Sequence, residues 1–553
     1  MILSLQTKNI PDGTKMNRYM LSLNEAAEWA TKYMGKNISP SNIRYLLQYA
    51  RVKRYTSKTG EIQVEKSELQ NYYDIIRKKE QVWREKLGDD LNWNISFDQY
   101  RESDTTKHVH RLHPYKGKFI PQLVEYFLDK HTDSWKRTVF FREGDIVLDP
   151  FMGSGTTLVQ AAELGMHSVG IDISGFNCLV AEVKCDDYRL SSLQVKLDEA
   201  YQRTLRFSQE NFNDRYDTEL KRRISTFNAR YFPNPEYKLR VQDDRGYEQA
   251  YGNEKIQQFI TENQDILPDD NTQEETHLFD NGNMPGFLRT WYNKRIRQEL
   301  RYYLELIDCE KDVQAQKVMR LILSRTARSC RGTTHYDLAT LKDRQSGPYY
   351  CYKHLKICTP VGSIRKRLKY YTEDTIHRLS AFAVLKKQVH IGIIHGDSRF
   401  VNIFNLISQT DHEFSRLLKE KKISGLFSSP PYVGQIDYHE QHAYAYELFD
   451  IERYDPDEIG AKAKGTDQSA KERYINDISD VLINVGQFIC DDGFFCIVAN
   501  DRHRLYPEIA DRSMLTIIQE FKRPVLNRTE RDRQPYAETI FIMKKTGNAE
   551  FEY

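Results

Sequence analysis

The chain has 553 residues, which at about 150 residues per domain predicts two to four domains. With 39% hydrophobic and 12% aromatic residues it has enough apolar surface for large cores, and this composition excludes wholesale disorder and fibrous structure. The net charge of +2 neither favours nor excludes a polyanionic partner, so a nucleic-acid surface would require local clusters of Lys and Arg.

The cellular location is predicted from two sequence patterns that are absent, a membrane span and a signal peptide. No run approaches about 18 consecutive apolar residues, and the opening segment MILSLQTKNIPDGTK is without the basic-then-apolar pattern of a signal peptide. These features predict a cytoplasmic protein with no membrane partner. Eight cysteines are too sparse for a disulfide framework, which leaves metal binding or core packing as their expected roles.

Residues 19–75 are predicted to form a small module. Ser22 and Glu25 have capping-box spacing at the start of an amphipathic helix, and a second helix is expected after Pro40. Two short alternating runs around Thr59-Gly60 predict a β-hairpin, and a closing helix is expected from Ser67. This order resembles the winged helix-turn-helix of excisionase and MerR-type DNA-binding proteins.

Between Arg44 and Lys58 the module carries five basic residues and no acidic ones. Two interpretations are open: a basic face that is simply solvated, and a surface that contacts DNA. The candidate DNA-binding residues are Arg44, Arg51, Lys53 and Arg54.

After a charged linker helix in residues 76–100, the segment DPFMGSGTT (residues 149–157) lies between a predicted strand and a predicted helix. Its two glycines permit close approach of the backbone to a ligand, and the helix N-terminus offers unpaired N–H groups. Asp172 ends the next strand, where a carboxylate can accept both hydroxyls of a ribose, and Asp397 ends a later one. A dinucleotide oxidoreductase would instead carry GxGxxG, whereas here two threonines follow the second glycine.

Further buried-strand runs occur only after residue 390, so the predicted fold is a doubly wound, Rossmann-like α/β sheet that is split by a long helical insert. The predicted domains are residues 1–85 (DNA-binding module and linker), 86–199 (cofactor-binding part of the core), 200–389 (helical insert) and 390–553 (remainder of the core).

The segment Ser429-Pro430-Pro431-Tyr432 follows another apolar strand. Two prolines hold the chain extended, so Ser429 and the Pro430 carbonyl present fixed acceptors at the sheet edge, and an aromatic ring follows. Acceptors for two amine hydrogens beside a ring suit a planar amine-bearing base.

The pair DPFxGSGTT and SPPY resembles the DNA amino-methyltransferases, which transfer a methyl group from S-adenosylmethionine to an exocyclic amine of cytosine or adenine. The segment HPYKGKFIP (residues 113–121) also resembles a part of this family that closes over the cofactor. The resemblance implies catalysis by Ser429, Pro430, Pro431 and Tyr432. It also implies cofactor contacts, with Asp172 on the ribose and Asp397 on the adenine edge, at Tyr115, Lys118, Phe119, Asp149, Pro150, Phe151, Gly153, Ser154, Gly155, Thr156, Thr157, Asp172, Ile173 and Asp397.

Several functional alternatives remain open at this point. The Ser before PPY favours cytosine N4 as the target over adenine N6 among relatives. The substrate would be double-stranded DNA, and a cognate restriction endonuclease would be a partner. An RNA methyltransferase and a DNA-binding regulator with an inactive core are the alternatives; the N-terminal module disfavours the first, and the intact glycines and SPPY disfavour the second.

The insert carries two further predictions. Basic residues at helical spacing and in a run without acids are interpreted either as DNA phosphate contacts or as a solvated face: Arg325, Arg328, Arg331, Arg365, Lys366 and Arg367. Cys351, His354 and Cys358, completed by Cys330, have spacing compatible with tetrahedral zinc, and the alternative is cysteines that only fill the core.

Overall fold

The structure is a computed structural model. It describes residues 19–35, 38–48, 51–57, 59–88, 90–97, 100, 102–115, 117–242, 244–267, 286–335, 337, 341–525 and 535–547. Lys58 and Lys116, which belong to two of the predicted motifs, lie outside the described residues. The chain divides into two compact units, one of residues up to Lys86 with Ala229–Gly252, the other of Leu87–Asn228 with residues from Asn253 on.

The amino-terminal elements are β1 (Met20–Ser22), α1 (Leu23–Met34), α2 (Pro40–Gln48), β2 (Tyr55–Thr56), β3 (Ile62–Glu65) and α3 (Lys66–Leu87). The capping box is present, because Ser22 Oγ accepts the Glu25 N–H and the Glu25 carboxylate accepts the Ser22 N–H. β3 lies between β1 and β2 in an antiparallel sheet. The sequence patterns did not predict β1, and α3 continues unbroken into the predicted linker helix.

The sheet of the second unit begins after α4 (Glu102–Thr105) and α5 (Pro121–Leu128), with β4 (Ile146–Asp149), α6 (Thr156–Leu164), β5 (His167–Asp172) and α7 (Gly175–Cys185). Ile146 and Leu148 pack into one hydrophobic core and Val147 into another. Because β4 is buried on both faces, its sequence is a continuous apolar run rather than an alternating one.

Helices dominate the long segment between α7 and the next strand of this sheet. In order they are α8 (Leu190–Asn211), α9 (Arg215–Tyr231), α10 (Glu236–Val241), α11 (Arg245–Glu262), α12 (Gly286–Trp291), α13 (Lys294–Cys309), α14 (Val313–Ser329) and α15 (Arg365–Ala383). A hairpin of β6 (Tyr349–Cys351) and β7 (Lys356–Cys358) precedes α15. The predicted boundary at residue 199/200 falls inside α8. Apolar residues of α13, α14 and α15 share one core with α7, and α14 packs directly on α7.

The remaining elements return to the sheet. They are β8 (Ile391–His395), α16 (Ile403–Thr410), α17 (His412–Lys421), β9 (Ile423–Ser428), α18 (Tyr438–Gln441), α19 (Ala443–Phe449), α20 (Gln468–Gly486), β10 (Ile489–Ala499), α21 (Tyr506–Arg512), β11 (Leu515–Pro524) and β12 (Ala537–Lys545).

The seven-stranded sheet has the order β11-β12-β10-β9-β4-β5-β8, and its five strands from β10 to β8 are parallel. β12 is antiparallel to both β10 and β11. The predicted mostly parallel α/β sheet is therefore confirmed. The chain leaves β4 towards β5 and β8 and later returns on its other side with β9, which creates a crevice at the carboxyl ends of β4 and β9. Among the described residues, no helix is both long enough and apolar enough to cross a membrane.

Candidate active site at the carboxyl ends of the parallel strands

The turn after β4 is shaped by two glycines with positive φ, Gly153 (+50°) and Gly155 (+74°). A Cβ on Gly153 would lie 3.2 Å from the ring of Tyr115, and a Cβ on Gly155 would lie 3.0 Å from that of Ala181. Both positions therefore favour glycine through their backbone conformation, and close neighbours leave little space for a Cβ. Gly155 is the N-cap of α6, which starts at the turn as predicted.

Asp149 connects the two central strands. It is only 1% exposed, and its carboxylate accepts a hydrogen bond of 2.5 Å from Ser428 Oγ at the end of β9. Burial raises the pKa of Asp149 to about 6, against the opposing effect of its hydrogen bonds. The carboxylate thereby fixes the backbone immediately before Ser429. Ser428, a polar residue that ends an apolar run, was not predicted as part of the site.

Asp172, the last residue of β5, connects the turn to α7. Its carboxylate accepts hydrogen bonds from the Gly153 N–H (2.9 Å), the Ser174 N–H (2.8 Å) and Asn177 Nδ2 (3.0 Å). Burial raises the pKa of Asp172 to about 7, and these hydrogen bonds oppose the rise.

A cleft that encloses about 870 Å³ of space, part of it open to solvent, lies at this edge of the sheet. Its walls include many of the predicted site residues: Tyr115, Lys118, Phe119, Pro150, Phe151, Gly153, Ser154, Thr156, Asp172, Ile173, Asp397, Ser429 and Pro431. Among the residues that the structure describes, five predicted ones are absent from the lining: Asp149, Gly155, Thr157, Pro430 and Tyr432.

Two of these five residues support the wall rather than form it. Asp149 holds Ser428, and Thr157 Oγ1 donates to the Phe427 carbonyl on β9. The cleft also contains residues that the sequence patterns did not reveal, from the start of α7 and from the segment after SPPY: Ser174, Asn177, Tyr438, His439, Asp457, Glu458 and Ile459. The N-cap serine two residues after Asp172 was a signal for the first pair, whereas the second segment carries no recognisable motif.

The SPPY segment is held by contacts from two other elements. Tyr474 on α20 donates to the Pro431 carbonyl (2.9 Å), and the Tyr432 hydroxyl donates to Glu538 on β12 (3.0 Å). Arg523 on the neighbouring strand β11 pairs with the same carboxylate (2.8 Å). The ring of Tyr432 is 7% exposed, and its burial raises the pKa of the hydroxyl well above its usual value.

Two charged residues among the predicted cofactor contacts, Lys118 and Asp397, line the cleft. The Lys118 ammonium donates to the His110 carbonyl (2.6 Å), and burial lowers its pKa to about 8. Asp397 lies in the wall but forms a short ion pair with Arg399 (2.6 Å), which also contacts Asp477. Part of the Asp397 carboxylate is thus already engaged within the protein.

Comparisons with known proteins agree with this geometry. A family model described as DNA methylase matches residues 15–182. Over 528 residues, 95% of this chain, the sequence is 48% identical to the type II methyltransferase M.MjaII of Methanocaldococcus jannaschii, and the match covers 97% of that relative. The chain belongs to this family of DNA methyltransferases. The resemblance drawn from DPFxGSGTT and SPPY is therefore confirmed at the level of the family.

Shorter matches of this methyltransferase reach two further relatives. It is 28% identical over 159 residues to the type II methyltransferase M.BsoBI of Geobacillus stearothermophilus, covering 28% of each chain. It is 29% identical over 120 residues to the type II methyltransferase M.MvaI of Kocuria varians, covering 22% of this chain and 25% of that one.

The basic residues predicted in the insert of this methyltransferase do not form one solvent-facing stripe. Arg325 is buried and donates to Asp374 and Thr375 on α15, and Arg331 is buried above the ring of Tyr444. For these two arginines the prediction of a phosphate-contacting stripe is wrong, because each guanidinium is enclosed by the helical layer.

The other predicted basic residues differ in exposure. Arg365 is half-buried and pairs with Asp214 (2.7 Å), and Arg328 is also half-buried, while Lys366 and Arg367 are exposed. In the amino-terminal unit, the four predicted DNA-binding side chains are all exposed: Arg44, Arg51, Lys53 and Arg54.

The predicted zinc ligands are only partly brought together. Cys351, His354 and Cys358 converge, and the fourth member of the cluster is His335. Cys330 instead lies at the end of α14 inside the helical core, and burial raises its pKa to about 12. The prediction that Cys330 completes the ligand set is therefore wrong, because its side chain belongs to the hydrophobic core.

Proposed function

We propose that this methyltransferase transfers a methyl group from S-adenosylmethionine to N4 of a cytosine in double-stranded DNA. The observation that carries the proposal is that Ser429 lies in the wall of the same cleft as Phe151 and Asp172. The base-binding and cofactor-binding segments, far apart in sequence, are thus combined in one cavity. A Ser before PPY, rather than an Asp, favours cytosine among the proteins that the sequence resembles.

The lining suits the cofactor in charge. The cleft is lined by one lysine, Lys118, and by four acidic residues: Asp172, Asp397, Asp457 and Glu458. This excess of acidic groups suits a ligand with a cationic centre. Asp172 would bind the ribose hydroxyls and Asp397 the adenine edge, while Phe151 offers an apolar surface beside them. When bound, S-adenosylmethionine supplies a methyl group on a positively charged sulfonium.

The chain contributes acceptors, a ring and exclusion of water. Ser429 Oγ and the Pro430 carbonyl would accept the hydrogens of the target amine, which increases electron density on its nitrogen. Tyr432 would contact the face of the base. Because Pro431 and Tyr432 are held by Tyr474 and Glu538, these groups are ordered before the substrate binds. Catalysis would then consist mainly of positioning.

The DNA duplex would be bound by two surfaces. The four exposed basic residues of the amino-terminal unit suit the phosphate backbone, as expected of a winged helix-turn-helix. We assign sequence reading to the helical insert of residues 200–389, where Lys366 and Arg367 are exposed. The relatives are type II methyltransferases, which supports a role in restriction-modification beside a cognate endonuclease.

Nucleoside mass spectrometry of DNA and of RNA from expressing cells tests the target, with the Ser429→Ala variant as control. We expect N4-methylcytosine with the parent protein and a large reduction with the variant. N6-methyladenine instead would assign the enzyme to adenine, and methylation confined to RNA would overturn the DNA substrate. An unmethylated nucleic-acid pool would favour a regulator with an inactive core. Sequencing that detects modified bases would then give the recognition site.

A further inference from the structure

Four side chains far from the cleft motifs form a compact cluster of soft donors. His335, Cys351, His354 and Cys358 each offer one ligand atom, and these atoms all lie within 4.8 Å of one another. Cys351 Sγ is 3.8 Å from His335 Nδ1, and Cys358 Sγ is 3.5 Å from His354 Nδ1. Zinc–ligand distances of about 2.0–2.3 Å place the donors of a tetrahedral site about 3.4–3.8 Å apart. The two sulfur–nitrogen distances match this spacing.

The local backbone explains why three donors converge. β6 and β7 are antiparallel with Cys351 opposite Lys356, so Cys358, two residues farther on, lies diagonally on the same face as Cys351. The tight turn between the strands is closed by the N–H groups of His354 and Leu355, which both donate to the Cys351 carbonyl. The turn therefore places the His354 side chain beside those of the two cysteines.

The fourth donor comes from the loop that follows α14. This loop is folded back on itself, with Thr333 bridged to Arg344 and the Gln345 N–H donating to the Gly332 carbonyl. The Tyr349 hydroxyl contacts both the backbone N–H and Nδ1 of His335 (3.1 and 2.7 Å), and a metal ion would replace the second contact. The imidazole is thereby held against the hairpin.

The donor set indicates which ion would bind and in what role. Two thiols and two imidazoles suit zinc, whereas calcium and magnesium require oxygen ligands. With four protein ligands a tetrahedral site has no open position for water, which is the pattern of a structural rather than a catalytic zinc.

We propose that His335, Cys351, His354 and Cys358 bind one structural zinc ion that fastens the loop after α14 to the β6–β7 hairpin. The hairpin is also anchored through Asn228 of α9, whose side chain hydrogen bonds to the backbone of Ile357 (2.8 and 2.9 Å). Zinc is thus a second attachment of this hairpin to the rest of the chain. The hairpin exposes Tyr352, Lys353 and Lys356 to solvent.

Elemental analysis of the full-length protein, purified without chelator from zinc-supplemented medium, tests the site. We expect one zinc per chain in the parent, and close to none after Cys351→Ser or Cys358→Ser. The matched controls Cys309→Ser and Cys330→Ala change cysteines outside the cluster and should retain the metal. Zinc that disappears with Cys330→Ala but persists in both cluster variants would overturn the residue assignment.

A second pair of variants separates loss of a ligand from loss of the fold. His354→Cys replaces one zinc ligand by another and should retain the ion, whereas His354→Ala should release it, with circular dichroism recording the fold of each. Reconstitution of the metal-free proteins with cobalt should produce thiolate-to-metal absorption in the parent and in His354→Cys, but not in His354→Ala. A metal-free parent whose Cys351 and Cys358 form a disulfide or remain free thiols after zinc and cobalt addition would overturn the proposal. Metal content does not depend on methylation, so this result is independent of the proposed function.

Discussion

Replacement of Asp172 by Asn tests the cofactor assignment most directly. The carboxylate accepts three hydrogen bonds within the protein, and ribose hydroxyls would be further donors to the same oxygens. Asn removes the negative charge and turns one acceptor into a donor. Losing charge-assisted hydrogen bonds of this kind costs about 1–3 kcal/mol, or about 5- to 150-fold in the dissociation constant of S-adenosylmethionine.

The pH dependence of binding supplies an independent measurement on Asp172. Because burial raises its pKa to about 7, the ionised form that accepts ribose hydroxyls is lost as the pH falls through that value. We expect the parent's affinity to fall about tenfold for each pH unit well below the pKa, and the Asn variant to lack this dependence.

The affinity for S-adenosylmethionine should increase as the pH rises, whereas the free energy of unfolding of the ligand-free protein should decrease. A carboxyl group whose pKa is higher in the folded than in the unfolded state stabilises the fold most below its ordinary pKa, and this contribution is lost as the pH rises through the folded value. For Asp172 the change from 3.8 to about 7 corresponds to roughly 4 kcal/mol. Because the Asn side chain does not titrate, Asp172→Asn should remove this part of the pH dependence of the free energy of unfolding.

Calorimetric titration with S-adenosylmethionine between about pH 6 and pH 8 measures the affinities, and thermal unfolding measures stability. Asp187→Asn is the matched control, because it makes the same chemical change on a side chain that is 89% exposed and forms a surface ion pair with Lys386. Unchanged affinity in a folded Asp172→Asn protein, or an unchanged pH dependence, would refute the assignment.

Four further predictions concern the catalytic loop, the insert and the amino-terminal unit. Ser429→Ala should lower the single-turnover methylation rate more than DNA affinity, and a parental rate would exclude Ser429 from the active site. Tyr432→Phe loses the contact to Glu538 but retains the ring, so it should stay active, whereas Tyr432→Ala should lose about 1–3 kcal/mol of base binding in single-turnover titrations; equal activity of both would contradict stacking. Arg325→Met removes one of the two arginine partners of Asp374 and leaves the other, Arg378 (2.8 Å), so it should destabilise the fold by about 1–3 kcal/mol in denaturant titration, a cost absent if the arginine were solvated. Alanine at three exposed basic positions (51, 53 and 54) should weaken DNA binding and its salt dependence without changing the methylated sequence, and a new target sequence would make the module a specificity element.

Local sequence patterns were sufficient to predict the separate strands and turns of the core. The turn after Asp149 needs residues that tolerate positive φ, and Gly153 and Gly155 supply them within a short stretch of chain. Continuous apolar runs likewise predicted strands β4, β5, β8, β9, β10 and β12. β11 was not predicted, because it is an edge strand whose polar residues interrupt the apolar run.

Only the tertiary structure decided which distant residues meet. The spacing of the arginines on α14 placed them near one another, but whether they face solvent depends on Asp374, 49 residues away. His335, rather than Cys330, lies beside Cys351, His354 and Cys358, because tertiary packing and not proximity in sequence brings these side chains together. The contact from Ser428 to Asp149, across 279 residues, has the same origin. Dihedral preferences and hydrophobic periodicity are encoded in neighbouring residues, whereas these contacts arise only when separate elements pack.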